Sequence, residues 1–257
     1  MWVRLMSSII LPNSIVSNIK MVIFDKDGTL IDIHHYWCSM IELRAEFFVN
    51  SLSINDMDKD NLYSKLIDGM GIDLNTKKMK AQGPVGIKPR SFIMGVALDI
   101  VREYDKSYTL EMVSDIFKEV DKYSQKRLAH IVKPLPDMIR VLEDLKRANI
   151  KISIATTDLT QRAILAMQSL GVDSYFDDIV GADLVERAKP NPDLVNYILD
   201  RYGLSVDDVV VVGDSIVDLE MAKNAKCEFI GVKTGLYGDD FIENSKNLIE
   251  NLTELGI

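Results

Sequence analysis

Met21-Val22-Ile23-Phe24-Asp25-Lys26-Asp27-Gly28-Thr29-Leu30 is the stretch on which the reading of this chain turns. Four apolar residues in a row stop at two carboxylates and a glycine. A short apolar run closed by a turn signal reads as a buried strand. The run Val209-Val210-Val211-Val212 repeats this grammar and stops at Gly213-Asp214-Ser215. Being apolar at successive positions, it suits a parallel strand covered on both faces. Ile150 to Ala155 stops at Thr156, and Asp178–Gly181 and Phe229–Val232 are shorter strand-like runs.

Helical stripes lie between these strands. Met138, Ile139, Leu142 and Leu145 form one. Ala163, Ile164, Met167 and Leu170 form another, with Gly171 as the C′ residue. Leu194, Val195, Ile198, Leu199 and Tyr202 form a third, and 217–225 is also helical. Strand and helix alternate from 136 to 233, the pattern of an α/β fold with a parallel sheet.

The first strand is separated from this alternation by about a hundred residues of 3.6-residue periodicity. Trp37, Met40, Ile41, Phe47 and Phe48 make one stripe. Ile93, Ala97, Ile100, Val101 and Tyr104 make a second. Met112, Val113, Ile116, Phe117, Val120 and Tyr123 make a third. Gly83, Pro84, Gly86 and Pro89 break the pattern, so 81–90 reads as a loop. The expectation is a Rossmann-like core of 21–33 and 134–257, with a helical domain of 34–133 inserted after its first strand. Residues 1–20 read as a loosely docked extension, cut at Pro12, with Met21 as an alternative start.

Composition narrows the function classes. The chain has 257 residues, 30 Lys and Arg against 39 Asp and Glu, and a formal net charge of −9. Such a chain has no global attraction for nucleic acid or an anionic membrane. Cys38 and Cys227 are the only cysteines, and two distant cysteines suit a reducing cytoplasm. No apolar run has the length of a membrane span, and the first twenty residues lack a signal-peptide core.

In open parallel sheets, ligands sit beyond the carboxyl ends of the strands. The residues there are Asp25 and Asp27, Thr156-Thr157-Asp158, Asp214 and Asp218, with Lys189 in a loop after the third core strand. Crowded carboxylates repel one another, and a divalent cation relieves the repulsion. An all-oxygen ligand set suits Mg²⁺, which favours phosphate-bearing partners. His34, His35 and His130 form no spaced zinc set. With Mg²⁺ and Lys189 the site holds a phosphate, one aspartate attacks phosphorus, and another manages protons.

These motifs, in this order, resemble the haloacid dehalogenase superfamily, and the Lys189-Pro190-Asn191-Pro192 form with a helical insert is similar to its phosphoglycolate-phosphatase-like branch. The resemblance implies Asp25 as nucleophile and Mg²⁺ ligand, and Asp27 as general acid/base that also offers its backbone carbonyl to the metal. Gly28, in the same motif, is a candidate substrate-binding residue. It implies Thr156 and Thr157 as phosphoryl-binding residues, Lys189 as counter-charge, and Asp214 as metal ligand with Asp218 at the metal or beside it. The insert resembles a type-1 cap, in which Lys88 and Arg90 are candidate substrate readers. The activity implied is hydrolysis of a small phosphomonoester such as phosphoglycolate, a sugar phosphate or a sugar-acid phosphate.

Other readings carry less. A calcium loop needs Gly at its sixth position and Glu at its twelfth, whereas Gly28 is fourth. Asp27 argues against a haloacid dehalogenase proper, and no motif places the cap lysine that a phosphonatase needs. A phosphomutase of the β-phosphoglucomutase type shares every motif and stays open, as does a non-catalytic binding protein. His34 and His35 read as packing or surface residues near the linker. Lys88 and Arg90 are otherwise solvated loop charges, and Asp56, Asp58 and Asp60 a solvated turn.

Overall fold

The computed structural model describes residues 8–80, 83–85 and 88–257. Residues 1–7 of the expected extension, and 81, 82, 86 and 87 of the expected loop, lie outside them. By its internal packing the chain forms two units, one running up to Asp32 and resuming over Val132–Ile257, the other Ile33–Ile131.

The first unit opens with an antiparallel hairpin, β1 (Ser8–Leu11) and β2 (Ser14–Ser17). This differs from the loose extension expected for this stretch. Pro12 and Asn13 make a two-residue turn rather than an end to structure, and the strands bury Ile9, Leu11 and Val16. Ile10 exchanges both backbone hydrogen bonds with Gly256, at 2.9 Å each. The Ser14 hydroxyl donates to Asn247 Oδ1 at 2.8 Å.

Then comes β3 (Met21–Phe24), whose four residues are all buried. The helices of the other unit follow: α1 (Ile33–Ser51), α2 (Asp56–Met70), α3 (Arg90–Val101), α4 (Leu110–Gln125) and the short α5 (Leu128–Ile131). The first unit resumes with α6 (Met138–Arg147), β4 (Lys151–Thr156), α7 (Thr160–Ser169), β5 (Asp178–Gly181), α8 (Asp193–Tyr202), β6 (Val209–Gly213), α9 (Ile216–Ala225), β7 (Glu228–Val232), α10 (Asp239–Asn244) and β8 (Leu248–Ile249).

The sheet order is β5-β4-β3-β6-β7-β8, every pair parallel. The chain builds outward from β3 to β5, then returns to the other side of β3 with β6. The order therefore reverses beside β3, and its carboxyl end is where a parallel sheet opens a crevice. One face packs Met21, Ile23, Val209 and Val211 against Leu194, Ile198, Leu219 and Ala222 of α8 and α9.

The helical unit has its own core, with Tyr36, Met40, Phe48, Leu62, Leu66 and Phe117 buried. Two expected stripe residues point outward, Met112 at the start of α4 and Ile139 at the start of α6. Asp56, Asp58 and Asp60 lie in the start of α2 rather than in a turn, and Asn55 caps that helix by accepting from the Asp58 N–H. First-turn carboxylates favour a helix N-terminus. Among the described residues, no helix is long and apolar enough to cross a membrane.

Candidate active site

Asp25 follows the last residue of β3, and its N–H donates to the Val212 carbonyl at 2.8 Å. That bond continues the β3–β6 ladder by one step and brings Asp25 towards the β6 end. There, Asp25, Asp214 and Asp218 are buried, each with a carboxylate oxygen within 4.8 Å of the others. Lys189, its side chain 1% exposed, donates to Asp25 Oδ1 at 2.5 Å and to Asp218 Oδ1 at 2.6 Å.

Asp218 owes its place to local structure. Ser215 is the N-cap of α9, and the two residues form a capping box. Asp218 Oδ2 accepts from the Ser215 N–H at 3.1 Å and from its hydroxyl at 2.5 Å. Both Asp218 oxygens are thus engaged, one with the helix cap and one with Lys189. Asp214 Oδ1 accepts from the Thr29 hydroxyl at 3.1 Å.

Two glycines make room for Asp214. Gly28 has φ +97°, a left-handed conformation that disfavours side chains, and a Cβ there would overlap the Asp214 carboxylate. Gly235, in the loop after β7, would collide with the same carboxylate. Its neighbour Thr234 donates its hydroxyl to the Gly28 carbonyl at 2.5 Å, tying that loop to the turn after β3.

Asp27 sits beside this cluster with its side chain 12% exposed, and its Oδ1 accepts from the buried Lys26 ammonium at 2.8 Å. The same ammonium lies 3.2 Å from Asp158 Oδ2, and Arg162 is 3.6 Å from Asp158 Oδ1. Thr156, buried at the end of β4, accepts from the Asp158 N–H at 3.1 Å, which leaves its hydroxyl proton to donate elsewhere. Thr157 is exposed.

Burial and crowding set the charges. Burial, the strongest influence, pushes Asp25 up to about 7; Lys189 opposes this, and Asp218 and Asp27 add to it. Burial also holds Asp214 well above the carboxylate range, reinforced by Asp25 and Asp218. Asp27 is raised by burial against the pull of Lys26. Burial disfavours the Lys189 ammonium, but Asp218 and Asp25 overcome it and raise that group. Burial also acts to raise Asp158, yet Lys26, Arg162 and the Leu159 N–H bring it below the usual value.

Three buried carboxylates with one ammonium, bonded to two of them, are short of positive charge, and oxygen donors suit a hard divalent cation. The residues present therefore fit such an ion. Within the helical unit, Arg90 is the first residue of α3 rather than part of the preceding loop. It donates to Asp121 at 2.7 Å and stacks over Phe117, 5.1 Å from the ring centre. Lys88 is exposed. His34 Nδ1 lies 3.2 Å from the Met79 N–H, and His35 Nε2 3.0 Å from the His130 carbonyl, so both serve packing inside this unit.

The sequence pattern assigns no individual role to Lys26, Arg162, Thr29, Ser215, Thr234 or Gly235, and gives Asp158 only a place among the strand-end residues. A lysine between two motif carboxylates and a glycine just past a strand were available signals. The pairing of Lys26 with Asp158 depends on β3 and β4 being neighbours, which their separation in the chain conceals.

A family model described as haloacid dehalogenase-like hydrolase matches residues 19–226. A phosphoglycolate phosphatase of Vibrio parahaemolyticus is 23% identical over 240 residues, covering 93% of this chain and 95% of the relative. A pyrophosphatase of Halalkalibacterium halodurans is 26% identical, covering 87% and 88%. A crystal structure from Haemophilus somnus, described as a predicted phosphoglycolate phosphatase, superposes with TM-score 0.66 at 19% identity, covering 91% of this chain and 94% of that one. With the model spanning well over half its length and the motif residues gathered at one sheet edge, this chain belongs to the haloacid dehalogenase-like hydrolases.

Proposed function

We propose that the protein hydrolyses a small phosphomonoester in two steps through an aspartyl phosphate on Asp25. The observation that carries the reading is the buried arrangement of Asp25, Lys189 and Asp218, with Asp27 two residues from the attacking carboxylate. The substrates favoured are phosphoglycolate, as the names of several relatives suggest, and sugar or sugar-acid phosphates.

In the first step a carboxylate oxygen of Asp25 forms a bond to phosphorus. The bond from phosphorus to the ester oxygen breaks with its electron pair on that oxygen. Asp27 donates a proton there, releasing an alcohol. In the second step Asp27 accepts a proton from water as its oxygen attacks phosphorus, and the Asp25 carboxylate departs. Such acid/base help contributes about 10²- to 10⁴-fold, so positioning and charge compensation supply most of the acceleration. Lys189, fixed by Asp218, faces the charge on Asp25 and the phosphoryl group. The Thr156 hydroxyl and the Thr157 N–H receive phosphoryl oxygens.

Asp25, Asp214 and the Asp27 backbone carbonyl would hold Mg²⁺, with Asp218 beside it. When bound, the ion neutralises the phosphoryl oxygens and polarises phosphorus. Asp218 contributes chiefly by holding Lys189, since both its oxygens have partners.

The test is inorganic phosphate release from a broad panel of phosphorylated metabolites, pyrophosphate and p-nitrophenyl phosphate with Mg²⁺, alongside trapping with beryllium fluoride. Phosphate release and an adduct on Asp25 are expected. Isomer formation from a sugar 1-phosphate without free phosphate would identify a mutase instead. Release from no member of the panel would overturn the reading.

A further inference from the structure

Lys26 is the observation that the mechanism above leaves unused. It is fully buried, and an ammonium is rarely buried unless paired. Its two carboxylate contacts are unequal in position. Asp27, at 2.8 Å, is next to it in the chain; Asp158, at 3.2 Å, comes from the turn after β4. Asp158 is anchored in turn. Its Oδ1 accepts from the Leu159 N–H at 2.8 Å and lies 3.6 Å from Arg162, one helical turn on. The Gly181 backbone presses on this turn, where a Cβ would overlap the Asp158 carbonyl. The row Arg162, Asp158, Lys26, Asp27 alternates in charge and ends at the acid/base.

We propose that Lys26, held by Asp158, is a positioning residue that fixes the Asp27 carboxylate by occupying Oδ1 and so leaves Oδ2 to exchange protons with the leaving oxygen. This rests on the acid/base role given to Asp27 above. A carboxylate on a short side chain has few rotamers, and a charge-assisted bond to one oxygen selects among them. A proton-transfer group must stand within about 3 Å of its partner to act. A lysine whose ammonium were held only by Asp27 would move with it. Asp158 and the turn that carries it give Lys26 a fixed reference in β4, independent of the loop on which Asp27 rides.

The role predicts a dependence on the leaving group. p-Nitrophenolate departs without a proton, whereas an alkoxide needs one. The measurement is kcat/KM, which reports the first phosphoryl transfer, for p-nitrophenyl phosphate and for glycerol 1-phosphate or phosphoglycolate, in full-length protein with Mg²⁺. Lys26→Met is expected to lower the alkyl-ester value by about 10²-fold, within the range acid catalysis supplies, and the aryl value by less than about threefold. Lys26→Arg is expected to recover most of the alkyl activity. Asp158→Asn keeps the ammonium but loosens its anchor, and is expected to lower the alkyl-to-aryl ratio about tenfold; it carries the test if Lys26→Met does not fold.

Equal losses on both esters, or none, in Lys26→Met or in Asp158→Asn would overturn the proposal and leave Lys26 as a packing charge. Asp27→Asn separates this failure from that of the underlying reading. If it too loses both esters equally, Asp27 is not the acid and the parent assignment fails. If it loses the alkyl ester selectively while Lys26→Met does not, only the role of Lys26 fails.

Discussion

The two ends of the central sheet are built from the same residue types and behave oppositely. At the amino end, Lys20 just before β3 pairs with Asp208 just before β6 at 2.7 Å. Asp177, just before β5, accepts from Lys146 at 2.8 Å, from Lys151 at 3.3 Å and from the Ile152 N–H at 2.9 Å. At the carboxyl end, Asp25, Asp214 and Asp218 cluster, and Lys189 pairs with Asp25 and Asp218. Asp177 and Asp208 have their carboxyls held below the ordinary range, whereas Asp25, Asp27 and Asp214 have theirs raised. The amino-end carboxylates are about a fifth exposed, and each has at least one ammonium of its own. Asp25, Asp214 and Asp218 at the carboxyl end are dry and have one ammonium among them. Charge at one end therefore holds the strands in place, and at the other it is left without full compensation.

The largest expected effect tests the second half of that contrast. Asp25→Asn removes the carboxylate proposed to attack phosphorus and should lower turnover by at least about 10⁴-fold, as loss of a nucleophile does elsewhere. The fold should survive, because Lys189 keeps Asp218. Residual turnover within tenfold of the parent would show that the cluster is not the reacting site. The same variant also tests stability. A carboxyl raised from the ordinary 3.8 to about 7 binds more protons folded than unfolded. Its contribution is full below pH 3.8 and is lost as pH rises through about 7. In metal-free buffer the parent should therefore lose stability relative to Asp25→Asn between those values, read as the difference in Tm. A parent Tm that held steady or rose relative to Asp25→Asn across that range would contradict the crowding argument.

Metal removal is next in size. EDTA should abolish phosphate release and Mg²⁺ restore it, and Mg²⁺ at a hundred times its Kd should stabilise the fold by about 2.7 kcal/mol. The Asp214→Asn variant should lose most of that thermal shift. Full activity in metal-free buffer would remove the reason for gathering three carboxylates around one ammonium.

Much of this was legible in the chain, unevenly. Runs such as Met21–Phe24 and Val209–Val212 announce strands covered on both faces, and the residues ending them announce the site. The hairpin Ser8–Ser17 was hidden because its strands are four residues each, too short for period-2 alternation to stand out, and because Gly256, which pairs with Ile10, lies at the other end of the chain. Lys26 was hidden for a related reason. Its partner Asp158 becomes a neighbour only when β4 docks beside β3, a choice of sheet order that local pattern does not encode. The roles of Gly28 and Gly235 are steric and depend on where Asp214 comes to lie. Arg90 reads as a candidate substrate contact, and the sequence does not reveal that Asp121 and Phe117 of α4 engage it within its own unit.

The smallest effects belong to the amino end. Asp177→Asn weakens bonds to two lysines and a strand N–H and should cost about 1–2 kcal/mol in urea unfolding, with kcat/KM unchanged. A loss of activity without a loss of stability would mean the two ends are coupled through β4. Asp208 gives the mirror image of the pH argument for Asp25. The Lys20 ammonium, then the Ser205 N–H and hydroxyl, hold its carboxyl down at about 2. A depressed carboxyl binds fewer protons folded than unfolded, so its contribution is present above pH 3.8 and is lost as pH falls through about 2. Lys20 is 60% exposed and the pair is screened by solvent, so the whole contribution is about 0.2–1 kcal/mol. Asp208→Asn should therefore differ in Tm from the parent near neutral pH and converge with it below about pH 2, while Asp25→Asn differs most at neutral pH in the opposite direction. If both variants shifted Tm in the same direction at neutral pH, charge would be doing the same work at both ends of the sheet.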